Sequence, residues 1–339
     1  MNGLIIKEYI ENQFPCQVGF VKARIFTELR KNLEKYRDIN HDLKIIEHNI
    51  DKRINPYLIY KDVKTIIVII FPYMNTSHDI ENKSHIVSRS SWGIDYHLVL
   101  KDKLQLVSDF LKKEFSKEAV ILVDNHPLHE RHLAYLAGLG NYGKNTLLIN
   151  PKYGSFFFIS LLLTNLELND EEYDTPCLTD LCQDCNLCLK VCPTKAISEN
   201  RFIEVKKCMS YLTQMKEVIP KEYLNKFTKF TFGCDLCQLA CVYNTKDEYQ
   251  ILDEFKPLGN EVIQVKDLTH LSNKAFKEKY KTLAASFRGK NVLLRNALLV
   301  SSNRYCLSDL ESIEKISVDD IDYLQQAISY AKDRLKKGE

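Results

Sequence analysis

Cys182-Gln-Asp-Cys185-Asn-Leu-Cys188-Leu-Lys-Val-Cys192-Pro193 is followed by a lone Cys208 and then by Cys234-Asp-Leu-Cys237-Gln-Leu-Ala-Cys241. Eight of the eleven cysteines fall within these sixty residues. Three cysteines two residues apart wrap one four-iron cluster corner by corner. A fourth, followed by proline, turns away and ligates a second cluster. Eight thiolates satisfy two four-iron, four-sulfur (4Fe-4S) clusters. The pattern assigns Cys182, Cys185, Cys188 and Cys241 to one, and Cys192, Cys208, Cys234 and Cys237 to the other.

Other cysteine chemistries fit less well. Zinc sites use two pairs of ligands rather than a triplet closed by Cys-Pro. A disulfide framework needs an oxidising compartment, for which the sequence offers no sign. Residues 171–250 therefore read as a ferredoxin-like domain whose core is largely inorganic. Cys16, Cys177 and Cys306 lie off the spacing and read as ordinary thiols.

The chain has 339 residues, 45% hydrophobic and 27% charged, with a formal net charge of +2. That length suits two or three domains. The charge balance excludes bulk attraction to a polyanion, so any nucleic-acid surface has to be local. The N-terminus has acidic residues early and no signal-peptide h-region. The longest mostly apolar run, Phe156 to Leu163, is far short of the ~20 residues a membrane helix needs. These features predict a cytoplasmic protein with reduced thiols and no membrane association.

Upstream of the cysteines, residues 1 to about 60 read as mostly helical, with a charged amphipathic stretch from Ala23 to Lys44. Val63 to Phe71 and Ala119 to Val123 are β-branched runs that predict buried strands. Tyr73 to Trp92 is polar and reads as a loop. Asp95 to Phe115 and Pro127 to Leu139 have helical character. Thr146 to Ile149 and Phe156 to Thr164 predict further strands. This alternation suggests an α/β or α+β domain over 1–170. Residues 251–339 read as helices, with seven basic residues and one acid between Lys274 and Arg295. On charge alone that run is an ordinary solvated face.

Clusters move single electrons, and a wire of two needs a terminus. Asp124 lies where a buried strand ends beside a glycine-rich turn, a usual place for a site. A carboxyl there can act as a general acid, or simply cap the helix that follows. His126, His129 and His132 lack a third convergent ligand and read as solvated. Gly138-Leu-Gly140-Asn-Tyr-Gly143-Lys144 is no Walker loop, because Asn145 replaces the Ser or Thr.

Over residues 45 to 300 the motifs resemble the epoxyqueuosine reductase family. Arg53-Ile-Asn-Pro56, Gly93-Ile-Asp-Tyr-His97, Asp124-x2-Pro127 with Glu130, Ala137-Gly-Leu-Gly140 and Gly143-Lys-Asn-Thr-Leu-Leu-Ile149 carry the likeness. So do Cys192-Pro-Thr-Lys-Ala-Ile197, Cys208-Met-Ser-Tyr-Leu-Thr213 and Gly233-Cys-Asp-Leu-Cys-Gln238. The resemblance implies reduction of epoxyqueuosine to queuosine at the wobble position of tRNA. It implies an α+β fold with an α/β-like cobalamin-binding domain, a ferredoxin-like domain with two clusters, and a short helical, HEAT-like C-terminal region. The implied cofactor is cob(II)alamin, fed one electron at a time by the clusters, which draw on an external electron donor. Asp124 would be the proton donor, with Arg53, Asp124, Ser210 and Asp235 as corrin contacts. Arg288, Lys290 and Arg295 would meet tRNA phosphates, and the protein would be a monomer.

Three features depart from the family pattern. Asn141-Tyr142 stands where a Trp-Ile pair is usual, Cys241-Val242-Tyr243-Asn244 lacks the usual Pro-Trp, and the C-terminal region is short. Two other functions share parts of the evidence. One is a cobalamin and iron–sulfur reductase of a small molecule, resembling reductive dehalogenases. The other is a ferredoxin-like electron carrier without a substrate, for which Asp124 would be dispensable.

Overall fold

A computed structural model describes the chain except for Met1 and residues 44–46, 76–79, 81, 178, 245–248, 317–319 and 338–339. Contacts group it into two compact units. One comprises Met1–Tyr73, His97–Asp184 and Glu248–Leu252; the other comprises Met74–Tyr96, Cys185–Asp247 and Asp253–Glu339. The cysteine-rich segment and the C-terminal helices thus share a unit rather than dividing near residue 250. The physical reason is a common core: Met209, Leu212, Phe227 and Phe232 are buried together with Leu293, Leu298 and Leu324.

The first unit is built on a four-stranded sheet of β1 (Gln17–Lys22), β2 (Thr65–Pro72), β7 (Phe157–Thr164) and β4 (Ala119–Leu122), in the order β1-β2-β7-β4. Every pairing is antiparallel, so the unit is α+β rather than doubly wound. β2 is buried at all eight positions, as its unbroken run of β-branched residues requires of a central strand. Each such side chain contributes about 1.5–3 kcal/mol on burial. The sheet carries β4 to its edge, where the chain turns at Val123 into Asp124.

β1 falls in a stretch whose composition predicts helix. Its pairing with β2 over six residues outweighs that weak local preference. The expected helix from Ala23 shrinks to a 3-10 turn, Thr27–Leu29, and a helix, Arg30–Ile39; Lys44, its expected end, lies outside the described residues. The expected helix from Pro127 is only Glu130–Leu136. His129 caps its start, its Nδ1 accepting the His132 N–H. A short hairpin, β5 (Asn141–Tyr142) with β6 (Leu148–Ile149), explains Gly140. A Cβ there would lie 2.7 Å from the Ile149 carbonyl oxygen. The glycine is needed for close approach, not for cradling phosphate.

In the second unit, β3 (Ile86–Val87) runs parallel to β8 (Phe230–Phe232). The stretch from Tyr73 to Trp92, expected as a loop, therefore contains a buried strand among its described residues. A 3-10 turn, Arg89–Ser91, follows it. The pairing sets Ser88 against the second cysteine motif. The Ser88 N–H donates to the Phe232 carbonyl at 2.8 Å, and a Cβ on Gly233, whose φ is +69°, would stand 2.3 Å from Ser88 Oγ. The tail is helical as expected, led by Lys290–Asn303 and Asp322–Lys337. Among the described residues no helix is long and apolar enough to cross a membrane.

Candidate functional site

Asp124 and Asn125 both adopt the left-handed conformation, with φ of 44° and 46°. Such backbone costs non-glycine residues of order 1–3 kcal/mol each and persists only where the surroundings enforce it. Here Glu130 does so. Its Oε1 accepts the Asp124 N–H at 3.2 Å and the His126 Nε2 at 2.8 Å. The Asp124 carboxylate points away from this clamp. Its Oδ2 is 3.4 Å from His97 Nε2, and its side chain is 55% exposed. Asp124 is thus not the helix cap, which is His129. It is an accessible acid paired with a ring able to carry a proton. His97 comes from the first turn of the helix Tyr96–Phe115.

The three histidines are not solvated, contrary to the expectation. His126 is 6% exposed and bound to Glu130. His132 Nε2 is 3.2 Å from Glu28. Burial, then the charges of Arg53 and Arg131, push His129 down to about 3. The spacing of three hid this, because it puts all three on or beside one short buried helix start. Arg53 is drawn into the same neighbourhood: its carbonyl accepts the His129 N–H at 3.3 Å. Burial and Arg131 lower its own pKa, and among the described residues no carboxylate pairs with it. Burial also raises the Tyr142 hydroxyl to about 12. Arg53, Arg131 and Tyr142 give this part of the first unit a positive, aromatic character.

All eleven cysteines are free thiols. In the second unit Cys188 and Cys192 are buried with Ala196 and Ile197, and Cys208 and Cys237 pack against them. Burial raises the thiol pKa of Cys208, Cys234 and Cys237. Charge on neighbouring sulfurs adds to it: Cys192 acts on Cys208, Cys208 on Cys234, and both on Cys237. Burial thus favours the protonated thiols, and binding of a metal by such thiols would release their protons. The Cys192 Sγ also accepts the Ala196 N–H at 3.3 Å. In the first unit, the Lys144 N–H donates to Cys182 Sγ at 3.4 Å. Among the described residues no three His, Cys, Asp or Glu side chains close in tightly enough for a single metal ion. Thiols at the corners of a cubane stand further apart than that.

The remaining expected site residues fare unequally. Ser210 is half-buried just after Cys208, its carbonyl accepting from Thr213 and Gln214. Asp235 is only 3% exposed. One of its oxygens accepts the Arg89 N–H at 2.8 Å, and the Arg89 guanidinium lies 3.8 Å away. Burial raises its carboxyl to about 6 against the pull of Arg89. Its carboxylate is engaged inside the protein with Arg89.

Arg295 departs from its expected role. It is fully buried, and burial pushes it down to about 10. Its nitrogens donate to the carbonyls of Leu212 at 2.8 Å and Met215 at 2.6 Å, and to Asn296 Oδ1. It holds the turn after Cys208 and cannot reach a phosphate. Lys290 Nζ donates to the Leu271 carbonyl. Arg288 is partly buried, its guanidinium over the ring of Phe287 at 4.7 Å. Phe287 is 65% exposed and rests edge-on against Phe232. Neither Glu130, His97, Arg89 nor Phe287 was assigned a role from the sequence. Glu130, His97 and Phe287 stand within the family-like motifs; Arg89 does not.

Residues 53–125 match the family described as Epoxyqueuosine reductase QueG, DUF1730. Residues 181–244 match the 4Fe-4S double cluster binding domain, so an iron–sulfur cluster-binding domain is present. An epoxyqueuosine reductase of Lactococcus garvieae is 35% identical over 331 residues, 94% of this chain and 92% of that protein. One from Listeria monocytogenes is 35% identical over 84% of this chain and 76% of that protein. Among solved structures, an epoxyqueuosine reductase with an epoxyqueuosine-modified tRNA stem loop is similar with a TM-score of 0.89 and 30% identity, covering 98% of this chain and 89% of that one. One from Bacillus subtilis, its catalytic aspartate loop swung out of the active site, has a TM-score of 0.87 and 29% identity over 98% of this chain and 90% of that one.

Proposed function

The chain belongs to the epoxyqueuosine reductase family, and on that premise we propose that it removes the epoxide oxygen of epoxyqueuosine in tRNA, with Asp124 as general acid. The supporting observation is Asp124 at the sheet edge, its backbone N–H clamped by Glu130 and its carboxylate accessible and 3.4 Å from His97. Turning an epoxide into an alkene consumes two electrons and two protons and releases water. Asp124 would protonate the departing oxygen, the step in which a positioned carboxylic acid is most effective. His97, beside it, would return a proton from solvent. The strained backbone at Asp124 and Asn125 suits a loop able to swing, as the Bacillus subtilis relative's is described as doing.

Arg53 and Asp124 fit a corrinoid. A partly buried guanidinium with no carboxylate partner among the described residues suits its amide carbonyls, and the Asp124 carboxylate is accessible. Cobalamin, when bound, supplies the low-potential cobalt that the opening of the epoxide needs. Ser210 is half-buried and remains a candidate contact. The eight thiols, in the two sets assigned from their spacing, would hold the clusters that deliver the electrons singly from an external donor. Arg288 and Phe287 offer a cation and an open aromatic ring to the RNA, for phosphate pairing and base stacking. A monomer in the cytosol, where its thiols stay reduced, completes the reading.

The experiment is anaerobic reconstitution with iron, sulfide and cobalamin, then an assay on an epoxyqueuosine-containing stem loop with a strong reductant. Nucleoside mass spectrometry should show loss of one oxygen. Asp124→Asn should keep iron, corrinoid and RNA binding while turnover falls by at least about a hundredfold. Full activity in that variant removes Asp124 from the chemistry. Corrinoid binding without deoxygenation transfers the reading to a small-molecule reductase.

A further inference from the structure

The Cys234-x2-Cys237 turn contains a buried ion pair that the proposed reaction does not use. Asp235 sits between the two thiols. It is met by the Arg89 N–H at 2.8 Å and the Arg89 guanidinium at 3.8 Å. Both side chains are almost wholly out of solvent. Arg89 is fixed on three sides: its Nε donates to the Asn75 carbonyl, its guanidinium stacks over Trp92 at 4.9 Å, and its backbone belongs to the 3-10 turn Arg89–Ser91. Trp92 is itself pinned by its indole N–H to the Val87 carbonyl. The contact between Ser88 and Gly233 leaves no room for a Cβ, so the two segments are closely packed. Lys229 is the other charge acting on Asp235. Two opposite charges, held rigidly in a dry site beside two cluster ligands, act on cluster charge with little screening.

We propose that Arg89 and Asp235 form a charge-balanced anchor that fixes the Cys234–Cys237 turn and sets the reduction potential of the cluster held there. The inference rests on the thiol assignment proposed above. Each one-electron reduction adds a negative charge to the cluster. The Asp235 carboxylate opposes that electron and the Arg89 guanidinium favours it. The two residues therefore pull the potential in opposite directions, which a purely structural role would not do.

The test is a dithionite titration of the reconstituted full-length protein at pH 8, followed by electron paramagnetic resonance. The cluster ligated by Cys182, Cys185 and Cys188 serves as the internal reference. Asp235→Asn should raise one of the two potentials, shifting the reduced-to-oxidised ratio at fixed poise by about tenfold, or 59 mV for one electron. Arg89→Gln should lower the same potential. The double variant should return close to the starting value, and Arg89→Lys should stay near it. Should Arg89→Gln fail to hold iron, Asp235→Asn, with a raised potential, and Arg89→Lys, with an unchanged one, still separate the charge effect from a structural one. Equal potentials in all variants, or shifts of one sign in both single variants, would overturn the proposal. Iron content near eight per chain keeps that result separate from failure of the ligand assignment.

Discussion

The Glu130 carboxylate grips Asp124 by its backbone, Oε1 accepting the N–H at 3.2 Å. The acid is thereby held by its main chain, while its carboxylate lies 3.4 Å from His97 Nε2 and more than half exposed. Glu130→Ala should release the strained turn and lower turnover by about ten- to a hundredfold, the scale of a small misplacement of a catalytic group. Iron content and RNA affinity should not change. Glu130→Gln keeps an acceptor oxygen and should retain more activity. Equal rates for Glu130→Ala and the parent protein would show that the turn holds itself.

His129 makes the first unit sensitive to acid. Its pKa is about 3 when folded, against about 6.5 unfolded. Below pH 6.5 the unfolded chain takes up a proton that the native state refuses, so stability falls as pH falls. A full proton's difference is a slope of about 1.4 kcal/mol per pH unit. His132, in the same unit, is also lowered by burial and adds to the slope. His129→Asn retains a capping oxygen and should flatten the denaturation midpoint between pH 6.5 and 4.5. An unchanged slope would mean that His129 is solvated.

Replacing Arg295 should damage the iron–sulfur domain and not RNA contact as such. Arg295→Met strands the Leu212 and Met215 carbonyls, at about 1–3 kcal/mol for each buried acceptor without a donor. Melting temperature and iron occupancy should fall together. A variant of normal stability that bound RNA weakly would restore the phosphate role.

Arg288 gives the cleaner RNA test. Arg288→Gln should weaken stem-loop binding and reduce the salt slope by about 1. Phe287→Ala should weaken binding with the salt slope unchanged, because stacking releases no counterions. Filter binding across a salt series separates the two. Unaltered affinity in both variants would return this surface to ordinary solvent exposure.

The legible parts of the chain were those governed by local rules. Thiol spacing marks the 4Fe-4S binding segment because ligand geometry is set within a few residues. β2 and β7 announced themselves because a buried central strand has to be apolar throughout. Asp124 stood out from its place at a strand end. What stayed hidden depends on distant partners. Arg295 reads as one more cation in a basic run until its helix is seen to be buried on nearly all sides. Asp235 resembles a ligand-facing residue until Arg89, 146 residues away in the chain, closes over it. β1 belongs to the sheet only through its register with β2. The histidines look polar in sequence, but His126 and His132 are held by Glu130 and by the distant Glu28.

The clasp on the turn after Cys208 also fixes an order of events during synthesis. The Leu212, Thr213 and Thr231 carbonyls are held by Arg295 and Asn296, in a helix that runs to Asn303. All eight cluster cysteines have been made by Cys241, so some sixty residues must still be added before that helix is complete. At roughly 5–20 residues per second, that is an interval of several seconds on the ribosome. Throughout it the thiols are present but their scaffold is not, leaving them open to oxygen and to stray zinc. Iron–sulfur insertion thus becomes a late event, and nascent chains halted before residue 290 should carry little iron.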